Sequence, residues 1–139
     1  MCWKIRRRES GGEKNNMKNN LPPLLLAYVG DAVFELYIRQ KLVTAQVLPI
    51  SQLHKKTIGI VRACGQESIL RQIEPHLTEE ETDIVRRGRN TKGRVPKNAD
   101  MATYRRATGF EALLGWLYLN GSQERLHQLL ALIEAGEEK

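Results

Sequence analysis

Two stretches of this chain are strongly apolar, and each carries a carboxylate inside it. From Leu24 to Ile38 the sequence reads LLLAYVGDAVFELYI, with Asp31 and Glu35 as its only charges. From Phe110 to Leu119 it reads FEALLGWLYL, with Glu111 as its only charge. Neither run alternates as a half-buried strand does, and both read as helices apolar nearly all round, hence central. With 139 residues the chain has room for a single core. Both helices and their acids must be accommodated there, although burying an unpaired carboxylate costs several kcal/mol.

The rest of the sequence supplies more helices and no strands. Pro22 and Pro23 suit a first helical turn, and the first helix is expected from Pro22 to Leu42. Pro49 opens a second helical region, with Leu53, Thr57, Ile60, Val61 and Cys64 on one face. A short helix through QESILRQIEPHL should stop before Pro75. Thr78 and Glu81 have capping-box spacing and start a helix that runs to about Gly88. The turn-forming segment from Gly88 to Asn98 reads as a loop. Asn98 is expected to cap the next helix, with Asp100 in its first turn, and that helix should stop at Asn120-Gly121. Ser122 caps a last helix that turns Leu126, Leu129, Leu130 and Ile133 inward. The fold class is all-α, with about six helices.

Asp100, Tyr104, Thr108 and Glu111 recur near the helical period and form one polar stripe. Asp100 lies about 16 Å along the axis from Glu111, so it could line the approach but not share the site. Gly115, one turn past Glu111, would let another helix come close. If the two acidic helices cross, Asp31 and Glu111 can meet, and their repulsion is relieved by a divalent cation with oxygen ligands such as Mg²⁺. Taken singly, each acid fits an ordinary buried ion pair, for instance Asp31 with Lys55, Lys56 or an arginine. The two readings stand side by side on the residues alone.

Charge points to an anionic partner. The formal net charge is +6. Between Ile84 and Arg106 there are eight basic residues, at 86, 87, 89, 92, 94, 97, 105 and 106, against the single acid Asp100. A basic loop leading into the Glu111 helix could neutralise phosphates of a duplex, whereas no aromatic interleaving suits base stacking. Cys2 and Cys64 are isolated and His54, His76 and His127 scattered, which argues against a zinc site or a disulfide framework and is compatible with a reducing cytoplasm. The apolar runs are too short and too charged to span a membrane. The first residues, MCWKIRRRESGGEKNN, lack the apolar core of a secretory signal. Residues 1–20 read as a disordered extension and residues 21–139 as the domain.

The motifs are also familiar in combination. YVGDAVFELYIR resembles the signature helix of the ribonuclease III catalytic domain, and ATGFEALLGWLYL resembles that family's second acidic helix. With LHKKT, RRGRN and PKNADMATYRRATGFEALLG in the same order, the chain from Leu21 onward is similar to the short bacterial branch, Mini-ribonuclease III, which consists of the catalytic domain alone.

The resemblance implies a homodimeric, Mg²⁺-dependent endoribonuclease that cuts double-stranded RNA to leave 5′ phosphates. The family's substrate is the 23S ribosomal RNA precursor, with a ribosomal protein or the pre-ribosome as a possible further partner. No double-stranded-RNA-binding domain is expected. Asp31 and Glu111 match the family's catalytic, metal-holding acids. Three other positions where family members carry acids are here Leu24, Ala27 and Thr108. Thr108, Glu35 and Tyr104 are candidates for supporting the site. Arg86, Arg87, Arg89, Lys92, Arg94, Lys97, Lys55 and Lys56 are the candidates for gripping RNA, which is read largely by shape, 2′-hydroxyls and phosphates. The alternatives are a non-catalytic RNA-binding relative of the same fold and a helical DNA-binding regulator. Retention of both acids counts against the first, and the lack of a polar recognition helix against the second.

Overall fold

The fold was obtained as a computed structural model, which describes residues 21–91 and 95–136. The expected extension over residues 1–20 lies outside the described residues, as do Lys92 and Arg94 of the basic loop. The described chain forms six α-helices: α1 (Pro23–Ala45), α2 (Ile50–Val61), α3 (Ala63–Ile73), α4 (Glu79–Arg89), α5 (Met101–Leu119) and α6 (Gln123–Gly136). A 3₁₀ turn, Glu74–His76, follows α3. No strand occurs among the described residues.

α1 and α5 form the centre and pack chiefly on each other, with α3 and α4 against α5 and α2 against α1. Two glycines set how closely α1 and α5 cross. A Cβ on Gly30 would fall 1.7 Å from the Glu111 carbonyl oxygen, and one on Gly115 would fall 1.9 Å from that of Leu26. Only hydrogen fits at either position, so the backbones touch where the two apolar helices meet. Beside this contact the rings of Phe34 and Phe110, both fully buried, meet edge to face with centroids 5.1 Å apart.

Helix ends follow their local chemistry. The Thr78–Glu81 capping box forms as expected: Thr78 N–H donates to Glu81 Oε1 (2.9 Å) and Glu81 N–H to Thr78 Oγ1 (3.1 Å). Arg125 of α6 then clasps the buried Glu81 carboxylate through Nε (2.9 Å) and Nη2 (2.8 Å), joining α6 to the start of α4. At the end of α5, Gly121 takes φ +72°. Its N–H donates to the Tyr118 carbonyl and that of Ser122 to the Leu117 carbonyl, a Schellman closure.

Several expectations are corrected. Asp100, not Asn98, caps α5, accepting from the Ala102 N–H (3.2 Å) and the Thr103 hydroxyl (2.9 Å). Both residue types cap well, and the hydroxyl of Thr103 three positions on favours Asp100. Cys64 does not continue the face of α2: the chain breaks at extended Arg62, and Cys64 is exposed in the first turn of α3. α4 runs on to Arg89, so the loop starts later than Gly88. α1 is not buried all round. Leu26, Ala27, Phe34 and Ile38 face the core, while Leu24, Leu25, Tyr28, Leu36 and Val43 are exposed. Asp31 is itself exposed. A helix apolar on every side therefore shows the solvent a second apolar face.

Candidate active site

The close crossing of α1 and α5 sets Asp31, one residue after Gly30, beside Glu111. Both line a cleft of about 390 Å³ together with Tyr28, Gln66, Tyr104 and Thr108. Leu24 and Ala27 also line it, so two positions that carry acids in the resembling family are apolar walls here. Glu111 is half-buried, and its carboxyl is pushed up to about 7, first by burial and then by the Asp31 charge, against a hydrogen bond from Gln66 that lowers it. The Asp31 carboxyl is also raised, by partial burial and then by Glu35. Neither acid forms an ion pair among the described residues, which removes the partnership with Lys55 or Lys56 as the reason for Asp31.

Two carboxylates, both raised, with hydroxyl and amide oxygens around them and no histidine or cysteine, make a hard oxygen donor set. That set fits Mg²⁺, which takes one or two carboxylates and completes its coordination with other oxygens. No cluster of three or more His, Cys, Asp or Glu that could hold a metal ion occurs among the described residues.

The remaining candidates divide. Thr108 and Tyr104 lie in the cleft, the Thr108 hydroxyl donating to the Tyr104 carbonyl (3.1 Å). Asp100 is occupied as a cap and does not line the cleft. Glu35 lies off the cleft: it pairs with Arg39 (3.4 Å) and lines, with Asp31, a neighbouring groove. Lys55 and Lys56 are exposed on α2. Within the basic run, Arg86 pairs with Asp83, and Arg106 ties α5 to Glu67 (3.1 Å) and Glu74 (2.7 Å). Arg87 is half-buried, and Arg89, Lys97 and Arg105 are exposed. Sequence reasoning passed over Tyr28 and Gln66. The signal for Gln66 was available, because it shares an inward face with Ile69, Leu70 and Ile73 at helical spacing.

Comparison with known proteins assigns this architecture to a class. Residues 24–122 match the Ribonuclease III domain, and the chain belongs to the ribonuclease III family, whose members are endoribonucleases. Within it, the relatives matched include short proteins called Mini-ribonuclease 3. That of Symbiobacterium thermophilum is 50% identical over 79% of this chain and 85% of its own length. That of a Thermoanaerobacter species is 52% identical over 81% and 80% respectively. A crystal structure of a Fusobacterium nucleatum protein superposes with a TM-score of 0.76 at 32% identity, covering 85% of this chain and 95% of that one.

Proposed function

We propose that the protein is a Mg²⁺-dependent endonuclease that hydrolyses phosphodiesters of double-stranded RNA, with Asp31 and Glu111 as its catalytic acids. The observation that carries this reading is the glycine-to-backbone crossing, which brings two otherwise repelling carboxylates into one cleft. A bound Mg²⁺ would supply charge stabilisation at the phosphate and an activated water. Asp31 and Glu111 would hold it from the two crossing helices, and Glu111 would have to give up its proton to do so. Thr108 and Tyr104 border the cleft with hydroxyls able to orient water or RNA. Exposed Arg89 and Lys97 flank the segment that leads into the Glu111 helix and are the cations we assign to phosphate contact, with Lys55 and Lys56 as further cationic surface. Lys92 and Arg94 are kept in this set by sequence alone.

The reading extends to a homodimer. The exposed face of α1 lines a groove of about 620 Å³ with Leu36, Tyr37, Tyr118, His127 and Leu130, and an apolar face of this kind favours a partner. Tyr28 and Asp31 line both groove and cleft, so a second copy seated in the groove would border the catalytic acids. The 23S rRNA precursor in the cytoplasm is the biological substrate that goes with the resemblance to Mini-ribonuclease III. No helix among the described residues is long and apolar enough to cross a membrane.

The test is cleavage of long double-stranded RNA in Mg²⁺ by wild type, Asp31→Asn and Glu111→Gln. Wild type should cut, and each variant should bind RNA and fail to cut it. The apolar residues at positions 24 and 27 favour one rival, a binding protein that has lost its chemistry. Duplex binding without cleavage by wild type would establish that rival, and normal cutting by Asp31→Asn would remove the assigned site.

A further inference from the structure

Three polar or charged side chains are buried among the described residues: Thr57, Gln66 and Glu81. Two are explained by the fold. The Thr57 hydroxyl donates to the Leu53 carbonyl of its own helix, and Glu81 completes the capping box and receives Arg125. Gln66 is not explained that way. It is 2% exposed and lines the acidic cleft. Its Nε2 donates to the Val61 carbonyl (2.8 Å), while its Oε1 finds no donor among the described residues. A buried amide held at one hydrogen and bare at its oxygen is costly for packing alone.

The local backbone is built to deliver this side chain. The break at Arg62 leaves the last carbonyls of α2 without helical partners, and Gln66 reaches back five residues to satisfy one of them. α3 starts hard against the end of α2, because a Cβ on Gly65 would fall 2.3 Å from the Ile60 carbonyl oxygen. An amide nitrogen carries two hydrogens in a fixed plane. With one committed to Val61, the other remains for the Glu111 carboxylate, which lines the same cleft.

We propose that Gln66 is a positioning residue of the catalytic cleft: its carboxamide clamps Glu111 to the α2–α3 corner and thereby sets the geometry in which the two acids receive a divalent cation. The inference rests on the reading of Asp31 and Glu111 as the cation's holders. Ligating carboxylates are oriented by outer hydrogen bonds, and loss of such a bond lowers metal affinity by about 10–100-fold.

The experiment measures Mn²⁺ binding to the RNA-free protein for wild type, Gln66→Met and Glu111→Gln. Met keeps the shape and removes the amide. Wild type should bind. Gln66→Met should bind about tenfold or more weakly, with an equal rise in the Mg²⁺ concentration for half-maximal cleavage and an unchanged KM for duplex. A Gln66→Met protein that only melts lower, with Mn²⁺ affinity and Mg²⁺ requirement like wild type, overturns the inference and leaves the cation reading standing. Wild type that binds no Mn²⁺ overturns both. Should Gln66→Met not fold, the side-chain amide resonances of Gln66 decide in the wild-type protein. They should move on Mg²⁺ addition, and an amide pair insensitive to Mg²⁺ refutes the clamp.

Discussion

Gly115→Ala is the sharpest test of how the site is made, because it adds one methyl group to a residue outside the cleft lining. The new Cβ would fall 1.9 Å from the Leu26 carbonyl oxygen and 2.8 Å from its carbon. Both are backbone atoms, so no side chain can rotate away, and α1 and α5 must part by about 1.5 Å to restore a normal contact. Overpacking a close-packed core costs about 1–3 kcal/mol, and a collision with backbone belongs at the top of that range. In a domain of this size that lowers the melting temperature by roughly 10 °C. The same displacement carries Glu111 away from Asp31, and a misplacement of about 1 Å in a catalytic arrangement costs about 100-fold in rate. The assay pairs thermal unfolding with double-stranded RNA cleavage at a temperature where the variant is folded. Gly59→Ala is the control: nothing lies within 4 Å of a Cβ there, and alanine in an exposed helix should hold or raise stability. A Gly115→Ala protein that melts and cuts like wild type would refute the crossing as the origin of the site.

Glu81→Gln should lose about 1–3 kcal/mol at neutral pH by breaking the clasp with Arg125. The Glu81 carboxyl is held below its usual range, chiefly by hydrogen bonds from Arg125, so this stability is present above the unfolded carboxyl's pKa and lost as pH falls through the folded value. Urea unfolding should therefore show a shallower acid-side decline in the variant, and parallel profiles would contradict the assignment. Arg89→Ala with Lys97→Ala should weaken duplex binding and flatten its salt dependence by about one unit of slope per lost phosphate contact; filter binding across a salt series with an unchanged slope would take them off the RNA. Because Glu111 is pushed up to about 7, cation binding should release about half a proton at pH 7 and close to one at about pH 6. Calorimetry in buffers of different ionisation enthalpy reads this directly, and proton uptake or no exchange at either pH would rule out Glu111 as a ligand.

The helices and their caps were largely legible because their signals are local. The Thr78–Glu81 box, the helix-opening prolines and the Asn120-Gly121 stop each depend on a few adjacent residues. Where two good capping residues stood two positions apart, Asn98 and Asp100, sequence favoured the wrong one, since the choice turned on what the hydroxyl of Thr103 could reach. Asp31 and Glu111 were legible as misfits, charges within apolar helices. The exposure of Asp31 was not, because a helix apolar on all sides does not say which face meets its own core and which awaits a partner. Gly115 was legible as a close approach, but its reciprocal at Gly30 required knowing how the helices cross. Gln66 escaped notice for a similar reason: its position marks it as inward, yet only the bend between α2 and α3 brings it to the cleft that Glu111 lines. Charge counting along the basic run likewise could not show that Arg86 and Arg106 are engaged by acids.

The cleft's small number of acids has a physical consequence for how fold and chemistry depend on the cation. Every carboxylate added around Asp31 and Glu111 would raise cation affinity and, without the cation, add repulsion at the contact that centres the fold. In this chain three such positions are Leu24, Ala27 and Thr108, and two of them contribute apolar wall instead of charge. The crossing is held by Gly30, Gly115 and the Phe34–Phe110 pair, none of which needs a metal. Glu111 further relieves the repulsion by retaining a proton over part of the neutral range. The contacts that centre the core thus need no cation, while on the proposed reading a cation's hold would depend on two carboxylates whose geometry the crossing, and on our inference Gln66, must fix in advance. Such a site gains from rigidity what it lacks in ligand number.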